Sequence, residues 1–144
     1  MKTLMKVLLL TLMVCGIASC ATSGPKFTEM NVAKISQDPG QGRIFFYRPS
    51  AMGAAIRPDI LLNNEKVGEA VSWGFFYVDR PSGDYTVVTS TEVTRKCSFT
   101  LDKGQTRYIR MAISMGFFAG HVYGELVDEA AAIEELKECR YTGQ

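Results

Sequence analysis

One histidine, one tryptophan and four cysteines are spread over 144 residues, and lysine plus arginine exceed aspartate plus glutamate by a single charge. So even a balance offers no basic surface for nucleic acid. HExxH, CxxC, GxSxG, P-loop and GxGxxG patterns are all missing, and with them the usual starting points for zinc, redox, acyl-transfer, phosphate or dinucleotide chemistry. A zinc site needs three or four ligands, which the lone His121 and scattered carboxylates do not supply. Long helix-forming runs are also scarce, whereas thirteen glycines, eight phenylalanines and six tyrosines favour an all-β domain. The length suits one domain with a real core.

Between Lys6 and Lys26 there is no charge at all. Lys2 and Lys6 form a short positive region, and residues 7–18 follow as twelve residues with Thr11 as the one polar interruption. That is the layout of a secretory signal. A membrane span needs about 20 apolar residues, and the polar, Gly/Pro-containing stretch 19–25 cuts this one short. Ile17-Ala18-Ser19-Cys20 then resembles the lipobox of bacterial lipoproteins, an aliphatic residue and two small ones before the cysteine that is acylated. The resemblance implies lipid, palmitate included, on Cys20, and two or more acyl chains anchor stably. Ala21, where an aspartate would resemble the inner-membrane retention signal, points to the outer membrane.

Removal of residues 1–19 would leave 125 residues and take two lysines away. With Cys15 lost and Cys20 lipidated, Cys97 and Cys139 remain as a pair in an oxidising compartment. A disulfide pinning the C-terminal helix is the expectation, and two buried free thiols are the alternative.

Residues 20–41 read as a flexible tether with one helical turn, and residues 42–144 as the folded domain. Strands are predicted near 43–47, 59–62, 66–69, 75–78, 85–91, 97–101, 106–113 and 121–127, each bounded by Gly, Pro, Asn or Asp. Asn63-Asn64 suits a two-residue hairpin because both tolerate positive φ. No crossover helix separates the strands, so the expectation is an antiparallel β-sandwich of seven or eight strands. Asp128 offers an N-cap for a single helix over 129–140, with Ala132, Ile133, Leu136 and Cys139 on its apolar stripe.

Four blocks extend the resemblance: Gly42-Arg43-Ile44-Phe45-Phe46-Tyr47-Arg48-Pro49, Leu62-Asn63-Asn64-Glu65-Lys66-Val67-Gly68, Phe76-Tyr77-Val78-Asp79-Arg80-Pro81-Ser82-Gly83-Asp84-Tyr85 and Ile113-Ser114-Met115-Gly116-Phe117-Phe118-Ala119-Gly120. They resemble the DUF2846 family of mostly lipoprotein-like bacterial proteins, and the middle of the chain also resembles PEGA-type β-sandwiches. The resemblance implies a β-sandwich and no known catalytic residues.

Consecutive antiparallel strands put every odd-numbered connection at one end of the sandwich. That end collects Met52, Ile56, Trp73, Met115, Phe117 and Phe118, flanked by Arg48, Arg57 and Arg95. The other end is polar throughout. Met52, Ile56, Arg57, Trp73, Phe117 and Phe118 are therefore a candidate interaction surface, unless these loops fold over to plug the core. Because the tether enters the first strand at the polar end, the apolar end is expected to face away from the anchor. The expected function is that of an outer-membrane-anchored, periplasm-facing, non-catalytic binding or structural module without cofactor or metal. Its partners would be the membrane through Cys20, an envelope protein and no nucleic acid. The alternative is a small periplasmic hydrolase or enzyme inhibitor, which would show a polar pocket around His121.

Overall fold

The structure, a computed structural model, describes residues 23–116 and 120–143. Among these residues nine strands form two sheets: β1 Gln41–Tyr47, β2 Asp59–Leu62, β3 Glu65–Glu69, β4 Gly74–Pro81, β5 Gly83–Thr89, β6 Glu92–Leu101, β7 Thr106–Met115, β8 Gly120–Val127 and β9 Arg140–Tyr141. An α-helix, α1, spans Glu129–Leu136. The larger sheet has the order β8-β7-β1-β4-β9 and the smaller one β3-β2-β5-β6. A mainly β sandwich with one helix is thus what the strand periodicity predicted.

Local chemistry explains the turns. Asn63 and Asn64 take φ of 48° and 69°, the paired left-handed conformation that closes the β2–β3 hairpin between Leu62 and Glu65. Asp128 caps α1 by accepting from the Ala131 N–H at 3.0 Å.

One strand pairing departs from the expected pattern. β1 runs antiparallel to β4 but parallel to β7. A parallel pair needs a long crossover, and here the hairpins of the second sheet supply it in place of a helix. As a result β1 lies in the middle of its sheet and is buried from Gly42 to Tyr47, on both faces. Ile44 and Phe46 point into the core between the sheets, with Ile60, Val87, Leu101 and Ile109. Phe45 and Tyr47 point the other way, into a second core with Phe75, Tyr108, Ala132 and Leu136.

That second core accounts for three corrections. Residues 23–41 are not a free tether. They carry two 3-10 turns, Phe27–Glu29 and Val32–Lys34, and lie against the outer face of the large sheet. Phe27 sets its ring edge-on to Phe45 and Phe75 at 6.2 and 5.4 Å between centroids. The helix also stops at Leu136, four residues short of the expected Arg140. Beyond it Arg140–Tyr141 completes the free edge of β4, bonding Trp73 O through the Arg140 N–H at 2.9 Å, while Tyr141 packs on Phe75 and Tyr77. Sheet hydrogen bonds and three aromatic rings outweigh one more helical turn.

Cys97 and Cys139, expected as a disulfide, are both free and buried. They belong to different cores, Cys97 between the sheets and Cys139 under α1, so a sheet separates the two sulfurs. Burial pushes both thiols upward, that of Cys139 to about 12, which keeps them protonated and unreactive. Alkylation under non-reducing conditions, followed by peptide mapping, should leave both thiols unlabelled in the native protein. In denaturant both should label fully, and a Cys97–Cys139 cross-linked peptide would contradict this arrangement.

Candidate functional site at the loop end

The connections 48–58 and 70–73 and the turn at 90–91 meet at one end of the sandwich, together with the start of β8. Trp73 N–H donates to Arg48 O, Ala70 N–H to Pro58 O and Ser90 N–H to Asp59 O, while Ser72 Oγ donates to Ser50 O. The parity argument therefore places these loops together, as the sequence implied.

Arg48 organises this end. Read from sequence as a flanking surface cation, it is fully buried, sitting above the core between the sheets. Residues 43–58 contain no carboxylate. Its guanidinium instead donates to four backbone carbonyls: Nη1 to Ile56 O (2.6 Å) and Ala70 O (3.0 Å), Nη2 to Met52 O (2.6 Å) and Gly53 O (2.9 Å). Desolvation pulls its pKa below the usual arginine value, yet an arginine stays charged in proteins. The charge is spread over four carbonyl dipoles, of which Gly53 O also accepts from Ile56 N–H at 2.9 Å. Gly53 at φ +61° lets that loop press down, since a Cβ there would come within 2.5 Å of Ile113 Cδ1.

The loop end is thus both plug and surface. Ile56 turns inward against the core, whereas Met52 is 56% exposed, Trp73 39%, Val93 63% and Met115 64%. Four of the five large exposed apolar side chains in the described residues gather here. Arg57 is exposed beside them. Phe117 and Phe118 lie outside the described residues. Val93 escaped the sequence reading because the β5–β6 turn looked polar, and only its place at the strand start turns it outward.

Trp73 is held in an unusual way. Its φ is +53°, a left-handed conformation that costs a non-glycine residue on the order of 1 kcal/mol. Three backbone bonds flank that conformation, Trp73 N–H to Arg48 O, Gly74 N–H to Val71 O and Arg140 N–H to Trp73 O, leaving the indole turned partly outward.

His121, the alternative centre, lies at the same end. Its Nδ1 is 2.9 Å from Thr91 O and 3.8 Å from Glu92 Oε2. Glu92 is occupied by its own turn: one oxygen accepts from the Thr94 hydroxyl and from the Thr94 and Arg95 N–H groups, which lowers its pKa. This is loop capping rather than an acid–base pair in a cleft. No group of three His, Cys, Asp or Glu side chains among the described residues could hold a metal ion. Elsewhere a groove of about 730 Å³ runs between the 27–37 segment and the outer sheet face, walled by Met30, Phe45, Tyr108 and Ile133. Arg43 borders it, but Asp79 holds its guanidinium at 2.7 Å through two bonds and the carbonyls of Ile35 and Ser36 take further donors. Among the described residues lining that groove, the one cation, Arg43, is thus already engaged.

Residues 38–123 match the family described as protein of unknown function (DUF2846). The chain belongs to that family. An uncharacterised protein of Haemophilus influenzae (strain ATCC 51907 / DSM 11121 / KW20 / Rd) is 27% identical over 117 residues, covering 78% of this chain and 70% of that relative. No solved structure matches. The matched span of this DUF2846 protein includes Arg48, Met52, Ile56 and Trp73 and stops short of α1 and β9.

Arg48→Lys tests the organising role of the guanidinium. A lysine has three donors at one point and cannot bridge four carbonyls. Urea denaturation should show a loss of about 2–4 kcal/mol, with Arg48→Ala at least as severe. A loss under about 0.5 kcal/mol would mean that the loop holds itself.

Proposed function

We propose that this DUF2846 protein is an envelope lipoprotein: residues 1–19 serve as the export signal, Cys20 carries the lipid, and the β-sandwich is a non-catalytic binding or structural module. The observation that carries the binding role is the gathering of Met52, Trp73, Val93 and Met115 in solvent at one end, rigidly backed by Arg48. An apolar surface held open by a buried charged hub is better suited to contact than to catalysis. The non-catalytic part of this reading is supported by Glu92, the carboxylate shown near His121, being taken up by its own turn, and by His121 Nδ1 lying at 2.9 Å from Thr91 O. The export and lipid assignments rest on the Lys2/Lys6 region, the apolar run 7–18 and the Ile17-Ala18-Ser19-Cys20 junction. Ala21 favours the outer membrane, with the domain on its periplasmic side. No helix among the described residues is long and apolar enough to cross a membrane.

Metabolic labelling with palmitate tests the anchor. Wild type should incorporate label and fractionate with membranes, whereas Cys20→Ser should accumulate as an unlabelled, unprocessed precursor. Equal processing of the two would sink the lipoprotein reading.

A further inference from the structure

The N-terminal segment and β9 hold each other in place at the edge of the large sheet. β9 is two residues long and pairs with only Gly74 and Phe75 of β4. A ladder that short is marginal by itself. Residues 24–27 close its other side as a strap: Lys26 bridges Arg140 in the antiparallel sense, Tyr141 N–H donates to Pro25 O at 2.9 Å, and Phe27 N–H donates to Cys139 O at 3.0 Å. Arg140 adds a bond from Nη1 to Gly24 O at 3.0 Å, and the Phe27 ring is wedged against Phe45 and Phe75. Gly24 is packed so closely that a Cβ would lie 1.8 Å from Tyr141 O. The strap therefore keeps β9 on β4.

From β9 the contacts run straight into the loop end. Arg140 N–H donates to Trp73 O, Trp73 N–H donates to Arg48 O, and the Arg48 guanidinium holds the carbonyls of Met52, Gly53, Ile56 and Ala70. Ser72 runs beside this path, donating from Oγ to Ser50 O, while Ser50 Oγ accepts from the Met52 N–H at 3.1 Å. Coupling between two places needs an element with two states. Trp73 is that element: at φ +53° it stays left-handed only while its neighbours hold it, and ordinary extended backbone is its relaxed alternative. Of the three bonds that flank it, Gly74 N–H to Val71 O closes its own turn and Trp73 N–H to Arg48 O ties it to the end of β1. The third comes from β9, which stays only while the strap does.

We infer that docking of residues 24–27 on β9 controls the shape of the loop-end surface. With the strap in place, Trp73 is held left-handed and is presented together with Met52. With the strap released, β9 leaves β4, Trp73 relaxes and that surface loses its shape. This rests on the binding role proposed above for the loop end and deepens it by assigning its regulation. The input lies on the Cys20 side of the strap, because tension from an anchor there falls first on Gly24 and Pro25, in the outermost strand of the sheet.

Gly24→Ala tests the coupling without altering the loop end, because the new Cβ has no room against Tyr141 O. In the full chain, hydrogen exchange read by mass spectrometry should run about tenfold faster in peptides 24–30, 138–142 and 71–75 than in wild type, with 59–62 and 85–89 unchanged. Trp73 is the sole tryptophan, so in the same variant its emission should move to longer wavelength and become more open to acrylamide quenching. Phe27→Ala removes the wedge at the other end of the strap and should reproduce both changes. Fast exchange at 24–30 in either variant, with 71–75 still protected and the Trp73 emission unmoved, would overturn the inference. So would a speed-up shared by 85–89, which would make the effect a loss of stability of the whole domain. A strap left protected by both substitutions would overturn it as well, as a fixed part of the sheet. None of these readouts involves an acyl chain or a partner. A loop end that binds nothing would therefore sink the binding role and leave the coupling standing, and a failed coupling would leave that role untouched.

Discussion

Everything else in the molecule follows from the burial of β1 on both faces. A strand reading Gly-Arg-Ile-Phe-Phe-Tyr carries large apolar side chains at consecutive positions, so no single packed layer can cover it. The second sheet covers Ile44 and Phe46; the helix, the 3-10 turns of the N-terminal segment and Tyr141 cover Phe45, Tyr47 and their neighbours. The two charged residues on or next to β1 are tied down as its position demands. Arg43 meets Asp79 directly across the antiparallel pair, with Tyr77 beneath its guanidinium at 4.5 Å. Arg48 instead donates from both terminal nitrogens to backbone carbonyls.

The two arginines show how a charge can be buried in different ways. Arg43 forms a bidentate pair whose attraction offsets the desolvation of both partners. Arg48 draws four backbone dipoles around itself, and so shapes a loop as it does so. Because that loop carries Met52 outward and Ile56 inward, the hub beneath the loop is also what holds the exposed surface in place. Tyr47 does similar duty on the outer face, donating to Glu135 at 2.7 Å, while Arg110 joins the same carboxylate to Glu125 and so ties α1 to β7 and β8.

Sequence reasoning located eight of the strands, the Asn63-Asn64 hairpin and the Asp128 cap, because these depend on side-chain alternation and on turn residues whose conformational preferences act locally. It grouped the apolar connections at one end, since parity needs only the count of reversals. It could not see that residues 23–41 dock, because Phe27 and Met30 are too sparse to signal a packed segment until the surface that receives them exists. For the same reason Arg140 read as the end of the helix and β9 was missed: an unfilled sheet edge is a property of the assembled sheet and has no sequence signature.

What the sequence by itself determined is a β-rich domain behind an apolar leader-like segment, with its chemistry-poor composition and its apolar loops. Those are consequences of composition, periodicity and turn propensity, which act over a few residues. Tertiary structure alone decided which side chains share a core, and therefore that Cys97 and Cys139 stand on opposite faces of a sheet, that Arg48 is an internal hub, and that Lys26 and its neighbours pair with the β9 edge. Each of these depends on pairings between residues tens of positions apart, where the energy of covering both faces of one strand prevails over any local preference.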